Sequence, residues 1–329
     1  MIEIVQSGPL NTVQDLGRPG YRAIGVSASG AMDPLSVRIG NALLGNEQGA
    51  AAIELQTYPF IVRFSVATDL VVTGADGVRL LNDRALMAWC IHRAVAGDVL
   101  EIRQPRQGSR VYITVANGVD VPVVMGSRST TLRGGFGGHF GRPLAAGDRL
   151  SVVPAANEVA RRSIAVVEPA AGLSAVFPAI ANDILPVRAI PAGEHDLFGS
   201  DGDRFWRQHW RISSQSDRTG YRLSGEPIRL DVPMEMRSHG VVPGVVQVPP
   251  AGEPIIQMSD ANTAGGYPKI AGVIEGDLWR LGQARIGTKI QFVRSTHAEA
   301  RAVEQAVDRY VEDVSRTAEM VRRTLGVIA

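Results

Sequence analysis

From Phe60 onward the apolar residues come in short runs, FIVRFSV, DLVVTGAD and VRLLND, punctuated by glycine, aspartate and asparagine. Runs of this length and punctuation predict β-strands joined by turns. RVYITVANG carries the same pattern, with Val111, Ile113 and Val115 on one face and Tyr112 and Thr114 on the other. A turn-then-strand phrase recurs as GDVLEI from Gly97, GDRLSV from Gly147 and GTKIQF from Gly287, the pattern of repeated barrel-like units. Two segments read as helix instead. Asp33 caps a first helix, Pro34 suits its opening position, Leu35, Ile39, Ala42 and Leu43 form its apolar face, and Gly45 ends it. Near the carboxyl end Thr296 and Glu299 have capping-box spacing, followed by Val303, Val307, Tyr310, Val314, Val321 and Leu325 at helical intervals and a stop at Gly326.

Between residues 156 and 184 the composition turns to alanine, proline and other small residues, which we read as a connection between lobes. The expected organisation is therefore an amino-terminal lobe over 1–155, a connecting segment over 156–184, a second lobe over 185–294 and a terminal helix over 295–329. A length of 329 residues and a 45% hydrophobic content suffice for such a two-lobed core. The 34 basic and 33 acidic residues leave a formal charge of +1, too weak a field to attract nucleic acid or an anionic membrane. The amino terminus has neither the basic start nor the apolar run of a signal peptide, and no stretch is long and apolar enough for a spanning helix, so a cytoplasmic location is expected. A single cysteine, Cys90 in MAWCIH, excludes an intrachain disulfide and reads as a core residue.

Several chemistries are disfavoured by the motifs that are missing. There is no Gly-Lys-Ser/Thr phosphate loop, no G-x-S-x-G elbow and no zincin spacing among His92, His139, His195, His209, His239 and His297. RGGFGGHFGRPL, Arg133 to Leu144, fits either an anion nest of backbone amides or a tightly turned structural loop. Three segments concentrate polar residues on turn-forming backbone. Val13 to Pro34 carries Gln14, Asp15, Arg18, Ser29 and Asp33. Ser216 to Gly225 carries Asp217, Arg218, Tyr221 and Arg222, suited to holding a planar carboxylate or amide by forked charged contacts. Val242 to Ile270 carries Gln247, Gln257, Asp260, Asn262, Thr263, Tyr267 and Lys269. For each, the alternative is a turn stabilised by Asp and Asn side chains.

The ordered set VQSGPLNTVQDLGRPGY, SGAMDP, GNALLGN, AAIEL, GGFGGHFGRPL, SDRTGYRLSG, PGVVQVPPAGEPI and TAGGYPKIAGVI resembles the allophanate hydrolase subunit 2 family, also called the KipA or biotin-dependent carboxyltransferase family. The resemblance runs to about Phe292. It implies a mainly β fold of two cyclophilin-like β-barrel lobes, here with a short early helix and a long C-terminal helix. Ile286-Gly287 stands where members often have Pro-Gly, and Thr219 where Met is frequent, departures that bear on fine specificity.

Such chains work with a KipI-like first subunit. The resemblance points first to the C subunit of an ATP-dependent 5-oxoprolinase, opening 5-oxo-L-proline to L-glutamate with A-like and B-like partner subunits that handle most of the ATP binding. The alternatives it leaves are a carboxyltransferase acting on urea or another small amide, and a non-catalytic antagonist of a KipI-like kinase inhibitor. No Met-Lys-Met acceptor is present, so any biotin is carried in trans. For a planar amide that resists attack, Arg218 and Arg222 with Tyr221 between them are expected to hold a carboxylate or oxyanion, Asp217 to orient them or act as base, and Lys269 to add a second positive group. Gln14, Asp15, Arg18 and Ser29 from the first lobe, and Gln247, Asp260, Thr263 and Tyr267 from the second, are the expected substrate-binding residues. The rival assignment makes these loops the seam with the first subunit.

Overall fold

The computed structural model describes residues 1–152, 164–178, 180–232 and 234–324. The chain forms two compact units, one of Met1–Arg18, Ser29–Gly172 and Asp308–Ala329, the other of Pro19–Ala28 and Leu173–Val307. Residues 156–163 and 179 of the expected connection, and Leu325 and Gly326 of the expected helix end, lie outside the described residues. No helix among the described residues is long and apolar enough to cross a membrane.

Unit one is built from two antiparallel sheets. Seven strands run in the spatial order Val119–Asp120, Arg149–Val152, Ile2–Gln6, Phe60–Phe64, Val99–Ile102, Arg79–Leu81, Arg84–Ala85. Five more run Thr12–Gln14, Ala52–Leu55, Gln107–Val115, Thr68–Asp76, Ile91–Ala94. The core draws on both, with Ile4, Phe60, Val62 and Leu100 from the first and Ile53, Val72, Val111 and Ile113 from the second. Tyr112 and Thr114 are buried as well, because the other face of their strand is covered by helix Pro34–Leu44. Gly40 permits that approach: a Cβ there would lie 2.4 Å from Thr114 Oγ1. The helix has the expected ends. Asp33 Oδ1 accepts from the Ser36 amide at 3.0 Å, and Gly45 closes it in the left-handed region at φ 72°.

Unit two closes into a ring of seven strands, in the order Ile184–Pro191, Lys269–Val273, Val245–Gln247, Ile255–Gln257, Gly220–Ser224, Trp210–Ile212, Lys289–Arg294. The first and last pair in parallel, Val187 opposite Phe292, and every other junction is antiparallel. Helix Gly199–Arg207 stacks Phe205 on Phe292 at 4.4 Å, and Asp277 of helix Glu275–Gln283 is buried against the Arg188 guanidinium at 2.6 Å. All three turn-then-strand phrases become strands, because Gly97, Gly147 and Gly287 adopt φ of 95°, 90° and 88°, conformations that only glycine enters without strain.

The terminal helix is His297–Thr324, and its capping box forms as the spacing predicts. The Thr296 amide donates to Glu299 Oε2 at 2.8 Å while the Glu299 amide donates to Thr296 Oγ1 at 3.2 Å. Its buried seam is Val303, Val307, Val311, Val314 and Ala318. Tyr310 and Val321, expected in that seam, are only half-buried. The stripe drifts toward Val311 and Ala318, with successive spacings of four, four, three and four residues, as a helical period of about 3.6 requires.

Candidate functional site

In unit one, the segment after strand Thr12–Gln14 and the segment 127–131 are tied together by buried polar groups. The Asp15 carboxylate accepts from the Gly17 amide at 2.7 Å, Ser127 Oγ at 2.7 Å, the Arg128 amide at 2.5 Å and Ser129 Oγ. Arg18 is fully buried; it donates to Thr131 Oγ1 and the Ser129 carbonyl, both at 2.5 Å, and its guanidinium lies 5.0 Å from the Phe136 ring. Ser29 Oγ meets Thr131 Oγ1 at 2.9 Å. Gln14 Nε2 donates to Thr12 Oγ1 and the Thr130 carbonyl, leaving Gln14 Oε1 buried without a partner among the described residues. All four residues expected to bind substrate from the first lobe thus meet in one network, and its bonds fix the loops that carry them.

A second buried network escaped the sequence reasoning. Glu54 Oε2 accepts from Tyr112 OH at 2.7 Å and from the Met32 amide at 2.8 Å, and the Asp33 amide donates to Tyr112 OH at 2.8 Å. Burial and the Glu54 charge push the Tyr112 phenol well above its ordinary value. The network holds SGAMDP against AAIEL; its one sequence signal is a glutamate inside an otherwise apolar strand.

The glycine-rich loop borders a cavity of about 290 Å³ lined by Val121, Phe136, Phe140 and Leu150. Arg142 grips Asp148 with two bonds of 2.7 Å, which holds that carboxyl down at about 2. Gly137 and Gly138 are required by close packing within the unit: a Cβ would lie 2.2 Å from the Ser129 carbonyl oxygen and 1.9 Å from Thr130 Oγ1.

In unit two, Arg218 and Asp260 form a buried two-point ion pair, Nε to Oδ2 at 2.9 Å and Nη2 to Oδ1 at 3.1 Å. Orientation of Arg218, expected from Asp217, therefore comes from Asp260. Asp217 Oδ1 accepts the Thr219 and Gly220 amides at 2.8 and 3.1 Å, the turn-stabilising role that its residue type also allows. Tyr221 and Arg222 occupy successive positions of one strand and so point to opposite faces. Tyr221 enters the core, 3% exposed, and Arg222 stands in solvent, so Tyr221 does not share a face with Arg222.

A polar group lies on the face of the neighbouring strands that points away from the barrel core, with Gln247 and Gln257 buried there. Gln247 and Lys269 are cross-strand partners. Gln257 Nε2 donates to Gln247 Oε1 at 3.2 Å, and Gln247 Nε2 donates to the Tyr267 carbonyl at 3.2 Å. A short ribbon, His239–Gly240 paired with Ala264–Gly265, lies over Gln247: a Cβ on Gly265 would come 2.6 Å from Gln247 Nε2. Thr263, just before the second ribbon strand, accepts the Val241 amide through its carbonyl at 3.1 Å. Arg22, which the sequence reasoning did not single out, fastens both sides of the ribbon by donating to the carbonyls of Val241 and of Asn262, the latter at 2.8 Å. Burial pulls its guanidinium below the ordinary value.

Residues 24–294 match the family described as carboxyltransferase domain, subdomain A and B. The 5-oxoprolinase C subunit of Escherichia coli (strain K12) is 40% identical over 96% of this chain and 98% of its own length. The urea amidolyase of Lachancea kluyveri is 33% identical over 94% of this chain, which spans only 18% of that protein. The crystal structure of Kluyveromyces lactis urea carboxylase superposes with a TM-score of 0.84 at 29% identity, covering 95% of this chain and 29% of the larger one. Matched over most of its length both in sequence and in fold, the chain belongs to the carboxyltransferase domain, subdomain A and B family.

Proposed function

We propose that the chain is the C subunit of a cytosolic, ATP-dependent 5-oxoprolinase, acting with an A-like partner and with a KipI-like partner of the B type. The observation that carries this reading is end-to-end correspondence with a protein of that name: 98% of the Escherichia coli protein is covered, against 18% of the urea amidolyase. In the proposed reaction water adds across the lactam C–N bond of 5-oxo-L-proline, giving L-glutamate, and cleavage of ATP to ADP and phosphate drives the opening. ATP is held mainly by the partner subunits.

Within this chain the proposed substrate face is the polar side of the unit-two barrel. Arg222, exposed to solvent, takes the substrate carboxylate. Arg218, held rigid by Asp260, keeps a fixed positive charge nearby for an oxyanion. Lys269 supplies the second positive group, and Asp217 and Thr263 shape the turns that bear these side chains. Tyr267, 45% exposed, forms the rim. Asp15, Arg18, Ser29 and Gln14 serve the amino-terminal loop as anchors.

The test is reconstitution with the co-encoded subunits. Glutamate formation from 5-oxoproline and ATP is expected with all subunits present and is expected to vanish when this chain is left out or carries Arg222→Ala. If glutamate accumulates equally without it, the assignment is lost. A second reading, carboxyl transfer to urea or a similar amide from biotin carried in trans, is favoured by the fold shared with urea carboxylase. Urea-dependent ATP cleavage in the presence of a biotin carboxylase, with no glutamate from 5-oxoproline, would select it. Binding of a KipI-like subunit with neither reaction would select the antagonist role.

A further inference from the structure

Two polar atoms on the unit-two barrel are buried with no hydrogen-bond partner among the described residues, and they flank the same glutamine. One is Gln257 Oε1, on a residue 5% exposed; the other is Lys269 Nζ. Gln247 sits between them as the cross-strand partner of Lys269 and the acceptor for Gln257 Nε2. Both functions of the Gln247 amide are used, its oxygen by Gln257 and its nitrogen by the Tyr267 carbonyl. The orientation of Gln257 is thereby fixed: with its nitrogen committed to Gln247, its oxygen is the group left over. Leaving a buried carbonyl without a donor is costly, and leaving a buried ammonium without an acceptor is more so. A pair of opposite unmet demands on one face is the complement of a ligand that presents a donor and an acceptor on adjacent atoms.

We propose that Gln257 and Lys269 read the cis-amide edge of a lactam, its N–H donating to Gln257 Oε1 and its carbonyl oxygen accepting from Lys269 Nζ, with the ribbon His239–Gly240/Ala264–Gly265 as the roof that the ligand lifts. This assignment rests on taking the same barrel face as the substrate site of the proposed function, and adds Gln257 as the residue that selects the amide nitrogen. The roof is paired at two residue positions, tied again by the Val241 amide to the Thr263 carbonyl and fastened on both sides by Arg22, and Gly265 packs directly on Gln247, so a ligand that reaches Gln257 displaces the Gly265 contact first. A tertiary amide, which has no N–H, leaves Gln257 Oε1 unmet and places a methyl group against it.

The experiment is titration of the full-length chain, alone and with its co-encoded subunits, by calorimetry with 2-pyrrolidinone, N-methyl-2-pyrrolidinone and imidazolidin-2-one. The lactam is expected to bind at least tenfold more tightly than its N-methyl derivative, a comparison made on the unaltered protein and so independent of any variant's folding. Gln257→Leu and Lys269→Met, with thermal unfolding followed in parallel, are each expected to weaken lactam binding tenfold or more. Equal binding of the two pyrrolidinones, or wild-type lactam affinity in both folded variants, overturns the proposal. Binding of the cyclic urea as tight as or tighter than the lactam overturns its commitment to lactams. N–H-selective binding without glutamate formation in the assembled complex would instead remove the 5-oxoprolinase reading and leave the amide site standing; glutamate formation without N–H selectivity does the reverse.

Discussion

At the scale of single residues, what a charged side chain does here depends on whether the fold leaves it paired. Arg218 and Asp260 are both buried and bound at two points, whereas Asp217, next to Arg218 in sequence, spends its carboxylate on the amides of its own turn. Removing one member of a buried pair strands the other, at a cost of about 3–5 kcal/mol, while replacing both by apolar groups is far milder. Asp260→Ala is therefore expected to lower the urea midpoint by an amount corresponding to that loss, and Arg218→Met with Asp260→Leu by much less. Equal losses in the single and double variants would mean that the pair contributes through packing alone. The motif SDRTGYRLSG announces an arginine needing an anion; it does not say that the anion lies forty-two residues on.

At the scale of elements, local rules were sufficient wherever the chain closes its own hydrogen bonds. The Asp33–Gly45 helix and the Thr296–Glu299 box depend on neighbours three or four residues apart, so both are legible in the sequence. Glu299 carries a pH consequence. The Thr296 amide and Ser295 hydroxyl bond its ionised form, so its folded value lies below the ordinary one. The helix start is thus fully supported above the unfolded value and loses that support as pH falls through the folded one. Amide exchange at residues 297–300 is expected to accelerate on acidification across that window, and Glu299→Gln to flatten the dependence. An unchanged profile in the variant would rule the box out as its source. The helix's buried face was less legible, since Tyr310 and Val311 both fit an apolar stripe at that turn and only the packed surface chooses Val311.

At the scale of the full chain, two mainly β units carry different polar sites. Unit one spends Asp15, Arg18 and Glu54 on holding its loops; unit two leaves Gln257 Oε1 and Lys269 Nζ without a partner among the described residues. On the proposed division of labour, in which partner subunits hold most of the ATP, the isolated chain is expected to cleave no ATP in a coupled assay, with or without 5-oxoproline, and to support cleavage only when those subunits are added. ATP turnover by the purified chain alone would assign the nucleotide site to it.

Near-neighbour contacts and long ordered motifs were enough to specify the strand-rich class, the two helices with their caps, the glycines at strand entries and the family. Long-range packing was needed to close a seven-strand ring through a parallel pair between Ile184–Pro191 and Lys289–Arg294. The same packing placed residues 19–28 with the second unit, turned Tyr221 inward and locked Gln257 with Gln247. These outcomes depend on which strands become neighbours, and strand neighbours far apart in sequence are chosen by the packing of the entire core rather than by any local signal.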